Sequence, residues 1–420
     1  MYTLRNPDVV RNKKITVLGL ARSGLACANL LARAGACVCV SDSCDNEVTR
    51  RNAQQLAPGI SVELGRHSQA YIRGQDLVVI SPGIADTAPP VQWANAEGIE
   101  VVSEIEVAWW FCPAAVIAIT GTNGKTTVTT LIGRMLEASG KKAFVCGNIG
   151  NPFSGEVQHV ESSDYIVLEV SSFQLEKIKT FKPAIAVILN VSRNHLDRYE
   201  NMQEYANAKK RIFLNQDNND VLILNQEDAS VREMAQDARS RVIYFSRSDL
   251  HNPNQAAVAA VGEALGIAPD ITQRVFDTFA GIEHRLERVR EVKDVVYVND
   301  SKATTVDSTI WALRNTPGPI ILIAGGREKG NDYGLVRDLI RQNVKRLIVM
   351  GEAKERIGSA FKGMVAIEEA SGLSDAVTKA QANAVKGDTV LFSPMCKSFD
   401  MFANYEERGR MFKQLVFALS

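Results

Sequence analysis

No long hydrophobic run occurs in this 420-residue sequence. The most apolar stretch, 107–119, is too short to span a bilayer and contains Pro113. There is no surplus of either charge: Lys+Arg is 48 and Asp+Glu is 48. A chain that neutralises nucleic-acid phosphate normally carries a basic excess, so no nucleic-acid partner is expected. The opening MYTLRNPDVVRNKK has no apolar core and no cleavage site, so no signal peptide and no membrane insertion are expected. No CxxC pair occurs among the seven cysteines, Cys27, Cys37, Cys39, Cys44, Cys112, Cys146 and Cys396. An odd count without metal spacing argues against zinc and for buried free thiols in a reducing cytoplasm. Cys37 and Cys39 alternate with Val38 and Val40, which reads as a strand using cysteine as a small hydrophobe. Low-complexity segments and short repeats are also missing.

What is present reads as α/β. At about 150 residues per domain, this length suggests roughly three domains. Short apolar runs alternate with amphipathic segments, the pattern of mostly parallel sheets flanked by helices. The strand candidates ITVLGL (15–20), CVCVSD (37–42) and DLVVISPG (76–83) form a first unit, 1–103. VIAITG (116–121), YIVLEVSS (165–172), AIAVILNV (184–191), VLILN (221–225) and VIYF (242–245) form a second, 104–281. VVYVND (295–300), IILIAGG (320–326), RLIVMG (346–351) and DTVLFSP (388–394) form a third, 282–420.

GTNGKTT (121–127) carries the sharpest chemistry. It lies after a strand and before a helix, the context a phosphate loop requires. Backbone amides of Gly121, Thr122, Asn123, Gly124 and Thr127 and the helix N-terminus would attract phosphate. Lys125 would reach the terminal phosphates and the Thr126 hydroxyl would ligate Mg²⁺. Ile119 stands at the first glycine position of the general pattern. Glu169 ends the YIVLE strand, and a carboxylate there faces the crevice where parallel sheets bind ligands. His195 follows the next strand, so Lys125, Thr126, Glu169 and His195 can converge on one metal–phosphate cluster. GLARSG (19–24) with Asp42 is a weaker dinucleotide-like fingerprint, since Ala21 replaces the middle glycine. NDSKATT (299–305) and SPMCKSFDMF (393–402) place Asp300, Lys302, Thr304 and Ser398 after strands, which suggests a second anionic substrate.

In this order GTNGKTT, LEVSSFQLE, NVSRNHLDRY, EHRLE, NDSKATT and SPMCKSFDMF resemble the Mur ligases of bacterial peptidoglycan synthesis, along nearly the whole chain. The resemblance implies Rossmann-like N- and C-terminal domains around a central P-loop ATPase domain. It implies a cytoplasmic, monomeric ligase in which ATP activates the L-alanine carboxylate of UDP-N-acetylmuramoyl-L-alanine for attack by D-glutamate. Magnesium would sit on Thr126, Glu169, His195 and Lys209, the last aligned with the family's carbamylated lysine. Asn252, Arg285, from the His284–Arg285 pair, and Asp300 would face ATP. Arg22, Ser23, Asp42, Ser43, Ser81, Pro82 and Gly83 would contact the uridine diphosphate, with Asn148 and Ser171 near the muramoyl group. Lys302, Thr304, Lys329, Ser398, Phe399 and Tyr405 would surround D-glutamate. Catalysis would fall to Lys125, His195, Lys209 and Lys302. Cys44 departs from an arginine found in some relatives, and Gln255 replaces the second asparagine of an HNxxN pattern. A different amino-acid adder, a dehydrogenase resting on GLARSG and Asp42, and a non-catalytic nucleotide module are the alternatives. The last two leave GTNGKTT with NDSKATT, or Glu169 with His195, unexplained.

Overall fold

The computed structural model describes residues 6–192, 198–250, 252–279, 281–328 and 330–420. The chain forms two compact units, 1–279 and 280–420. His195, Lys329 and His251 lie outside the described residues.

The N-terminal unit contains two parallel sheets. The first comprises β1 (Lys14–Leu18), β2 (Cys37–Asp42), β3 (Ser61–Leu64), β4 (Leu77–Ile80) and β5 (Glu100–Ser103), in the order β3-β2-β1-β4-β5. The second comprises β6 (Ala115–Thr120), β7 (Ala143–Gly147), β8 (Tyr165–Glu169), β9 (Ile185–Ile188), β10 (Val221–Asn225) and β11 (Arg241–Phe245), in the order β11-β10-β9-β6-β8-β7. β6 is the switch point, flanked by β9 and β8, and ligands of open parallel sheets bind where the order reverses. β6, β8 and β9 are apolar up to their carboxyl ends, where β6 finishes in Thr120 and β8 in Glu169, because helices cover both faces.

One hydrophobic cluster runs through both sheets and includes Val10, Trp109, Trp110, Ile166 and Leu222. Trp109 meets Phe181 edge-on at 5.6 Å. Glu106, fully buried, accepts hydrogen bonds from the backbone N–H groups of Lys179, Thr180 and Phe181 and from Trp110 Nε1. Those donors satisfy a carboxylate that burial would otherwise penalise heavily.

The C-terminal unit holds β12 (Glu287–Val292), β13 (Val295–Asn299), β14 (Ile320–Gly325), β15 (Val344–Met350), β16 (Ala366–Glu369) and β17 (Thr389–Phe392), in the order β12-β13-β17-β14-β15-β16. All pairings are parallel except β12–β13. The charged ERVREV of β12 gives no strand signal in sequence; it forms an edge with one face in water.

The cysteine expectation needs correction. Cys27, Cys112, Cys146 and Cys396 are buried, but Cys37 and Cys44 are exposed and Cys39 is half-buried. On β2 it is Val38 and Val40 that face the core, so the alternation puts the thiols on the outer side. No helix among the described residues is long and apolar enough to cross a membrane.

Candidate active site

At the carboxyl end of β6 the chain turns through Gly121 (φ 152°) and Gly124 (φ 85°) into the helix Lys125–Ala138. Gly124 is the helix N-cap, and a Cβ there would lie 2.4 Å from Asn254 Oδ1. Only glycine accepts both the left-handed backbone and that contact. Asn190, just past β9, accepts from Asn123 N at 2.8 Å and its carbonyl accepts from Thr122 N at 3.0 Å. The loop is therefore braced before any ligand arrives, with the helix N-terminus behind it.

Lys125 folds onto its own loop, donating to the carbonyls of Gly121 (2.8 Å) and Thr122 (2.9 Å). Lys209 reaches the same Gly121 carbonyl at 3.0 Å. It lies on the helix Met202–Lys210, one turn after Tyr205, and its ammonium sits 4.3 Å from that ring's centroid. Lys209 is 1 % exposed, whereas Lys210 turns out to pair with Asp237. Burial first, and the Lys125 charge second, push the Lys209 amine well below the ordinary lysine range.

Glu169 lies across from Ile119 in the β6–β8 register, beside the loop. Its Oε1 accepts from Asn148 Nδ2 at 2.7 Å, while Oε2 is buried with no hydrogen-bond partner. A buried carboxylate oxygen left bare is costly unless a cation meets it. Thr126 is buried in the first turn of the helix. Hard oxygen donors of this kind suit Mg²⁺.

At the carboxyl end of the first sheet, Gly24 packs on Gly19: a Cβ on Gly24 would lie 1.8 Å from the Gly19 carbonyl oxygen. Asp42 accepts from Leu20 N (2.6 Å) and Cys44 N (2.8 Å), bracing that turn. Ser81 Oγ donates to the Gly19 carbonyl at 3.4 Å. Arg22, exposed, reaches the Gly150 carbonyl at 3.3 Å, close in sequence to Asn148. Ser43 and Gly83 are exposed and Ser23 is half-buried around this crevice. Ser171 caps a short helix through a box with Gln174. The carbonyls of Pro82 and Ile84 accept from Arg198, at 3.4 Å each. Asn252 caps the helix Pro253–Ala264 by accepting from Asn254 N at 3.0 Å, and Gln255 is half-buried in its first turn.

In the C-terminal unit, Asp300 is buried at the end of β13. It accepts from Ser393 Oγ (2.8 Å) and Leu286 N (3.2 Å). Burial raises its pKa to about 7 against the pull of those donors and of Arg285. Arg285 lies 5.9 Å from the centroid of the Trp311 ring. His284 is buried in a left-handed conformation (φ 64°), with Asn299 Nδ2 2.9 Å from its Nδ1. Lys302 and Tyr405 come together, ammonium to ring centroid 5.9 Å. Thr304 is half-buried on the same loop, Ser398 is buried and Phe399 is 55 % exposed.

Tyr205, Asn190, Asn254 and Arg198 escaped the sequence reading. Their roles arise from long-range contacts, and only the i,i+4 spacing of Tyr205 and Lys209 was a usable signal.

These features define a nucleotide-dependent α/β ligase architecture, and the chain belongs to the Mur ligase family. The family models match as a Mur ligase MurD-like N-terminal domain over 13–103, a Mur ligase middle domain over 119–271 and a Mur ligase glutamate ligase domain over 284–396. Two similar curated proteins are both named UDP-N-acetylmuramoylalanine–D-glutamate ligase. The one from Koribacter versatilis is 42% identical, covering 97% of this chain and 98% of its own. The one from Geotalea uraniireducens is also 42% identical, with the same coverage. Among solved structures, the UDP-N-acetylmuramate-alanine ligase of Thermotoga maritima shares the fold with a TM-score of 0.60 at 19% identity, covering 97% of this chain and 99% of its own. The MurF ligase of Thermotoga maritima in complex with ADP has a TM-score of 0.59 at 16% identity, covering 99% and 97%.

Proposed function

We infer that the chain is the ATP-dependent ligase that joins D-glutamate to UDP-N-acetylmuramoyl-L-alanine in peptidoglycan precursor synthesis. Relatives of about this identity along nearly the whole chain bear that name. The observation that carries the chemistry is the cationic phosphate loop beside a bare, buried carboxylate oxygen on Glu169. A carboxylate cannot acylate an amine without a leaving group. The alanine carboxylate oxygen attacks the γ-phosphorus of ATP, ADP leaves, and an acyl phosphate forms. The free amine of D-glutamate then attacks the acyl carbon; phosphate leaves and the amine proton passes to a base.

In this reading Lys125 and the first-turn amides hold the transferred phosphoryl and offset its developing charge. Glu169, Thr126, His195 and Lys209 as its carbamate would hold Mg²⁺, which when bound screens phosphate charge and orients the reacting oxygens. A lowered Lys209 pKa favours the carbamate, because the ammonium gives up its proton more readily: the neutral nitrogen then bonds to carbon dioxide, a second proton leaves, and the side chain has gone from positive to negative. Arg285, Asp300 and Asn252 would face the nucleotide. Arg22, Ser23, Asp42, Ser43, Ser81, Pro82, Gly83, Asn148 and Ser171 would hold the UDP-sugar. Lys302, Thr304, Lys329, Ser398, Phe399 and Tyr405 would hold D-glutamate. We set the domain boundaries at 103/104 and 281/282, and take the protein as a cytoplasmic monomer. A phosphate-release assay with ATP and UDP-N-acetylmuramoyl-L-alanine, run against a panel of amino acids, tests the reading. Turnover with D-glutamate is expected; turnover only with another amino acid would reassign the chain within the family.

A further inference from the structure

Arg408, on the helix Tyr405–Phe417, has no part in any motif above and is wholly buried. A guanidinium leaves water at high cost, so its donors must be answered. Its Nε donates to Ser301 Oγ at 3.0 Å, Nη2 to the Ser301 carbonyl at 2.8 Å and Nη1 to the Cys396 carbonyl at 3.1 Å. None of these acceptors is a carboxylate, and the charge also lies 5.7 Å from the Phe392 ring centroid. Burial draws Arg408 down to about 10, which leaves it charged at neutral pH.

The two loops it joins are the ones that carry the candidate amino-acid contacts. Ser301 precedes Lys302, and Cys396 stands two residues before Ser398. The helix that supplies Arg408 begins with Tyr405, whose carbonyl accepts from Ser301 Oγ at 2.8 Å and whose ring lies beside the Lys302 ammonium. The space around the fork is closed. Gly326 (φ 140°) would put a Cβ 2.3 Å from the Lys397 carbonyl oxygen and 3.1 Å from Arg408 Nη1. A planar fork with fixed donor directions can set the distance between two strand-end loops; a single ammonium cannot.

We propose that Arg408 is the positioning residue of the amino-acid pocket, clamping the Ser301 backbone to the Cys396 backbone so that Lys302 and Ser398 stand at the spacing that D-glutamate's two carboxylates require. This rests on the D-glutamate reading of that pocket. Arg408 touches no solvent and so acts through its neighbours, not on substrate.

The test uses the full chain with ATP and UDP-N-acetylmuramoyl-L-alanine, in Arg408→Lys and Arg408→Ala. Arg408→Lys keeps the charge and loses the fork. It should melt cooperatively and raise the KM for D-glutamate about tenfold or more, with the KM for ATP essentially unchanged. In Arg408→Ala, millimolar guanidinium ion should bring the D-glutamate KM back toward wild type, while the same concentration of ammonium does not. Equal rises in both KM values, no change in either, or failure of both variants to fold would each overturn the role. If wild type itself does not turn over D-glutamate, the reading of the pocket fails. If it does and Arg408→Lys shows no selective rise, only the positioning role fails.

Discussion

Lys209 in the N-terminal unit and Asp300 in the C-terminal unit are both buried ionisable groups beside strand ends, yet different forces set their charge. At Lys209 the two influences add: burial and the Lys125 charge both drive the amine toward neutrality. At Asp300 they oppose. Burial raises the carboxyl, Ser393 Oγ, Leu286 N and Arg285 draw it back, and the balance falls at about 7. Where the influences oppose, the group titrates near working pH. Where they add, the site stays short of an anion until chemistry supplies one.

The largest effect should come from taking away one of the two lysines that share the Gly121 carbonyl. Lys125→Ala removes both the proposed phosphoryl contact and the like charge facing Lys209. Turnover should fall by about a thousandfold, the scale of losing a principal electrostatic contact in a transition state. Phosphate release measured on a variant with unchanged circular dichroism checks this; near-normal rates would end the phosphate-loop assignment.

Next comes Lys209→Ala, expected to lose about a hundredfold in turnover, on the same electrostatic scale. Acetate or formate should restore part of it by refilling the anionic position. Native mass spectrometry of wild type should show the mass of one added carbon dioxide. If the mass is absent while the Mg²⁺-loaded enzyme is fully active, Lys209 works as a plain amine and the contrast with Asp300 loses its chemical half.

Sequence and structure part company along the same line. GTNGKTT is legible because a phosphate loop is local: its glycines, its lysine and the start of the helix behind it lie within seven residues. Glu169 is nearly so, since a strand end implies a crevice. Lys209 is not. It sits next to Lys210 in sequence, and only the family resemblance singles it out; the fold buries one and leaves the other to Asp237. Arg408 gives no sequence signal at all, because its acceptors are 107 and 12 residues away and are neutral. Cys37 and Cys39 misled because period-two alternation tells which residues share a face, not which face is buried.

A smaller change should sharpen the C-terminal half. Lys302→Met leaves an apolar stem of similar length where the ammonium lies beside Tyr405. A carboxylate entering that pocket loses a charge-assisted contact, so the KM for D-glutamate should rise about thirtyfold with little change in that for ATP. A selective rise for ATP would move Lys302 to the nucleotide and leave Ser398 without a cationic partner.

The least effect is one of stability, and its sign follows from linkage. Asp300 has a folded pKa of about 7 against an ordinary 3.8. Below 3.8 both states hold the proton and the full stabilisation is present. Between 3.8 and about 7 the unfolded chain gives the proton up while the folded chain keeps it. The unfolded state then binds fewer protons, so stability falls as pH rises through this window and levels off above it. Asp300→Asn cannot titrate; its side-chain oxygen can still accept from Leu286 N, and its amide can donate to Ser393 Oγ. Urea midpoints measured at about pH 5 and about pH 8 should therefore drop more for wild type than for Asp300→Asn. Parallel pH profiles would mean that Asp300 is ionised in the folded unit across the range. The balance of burial against its two donors and Arg285 would then lie well below neutrality, and the distinction from Lys209 would be one of degree.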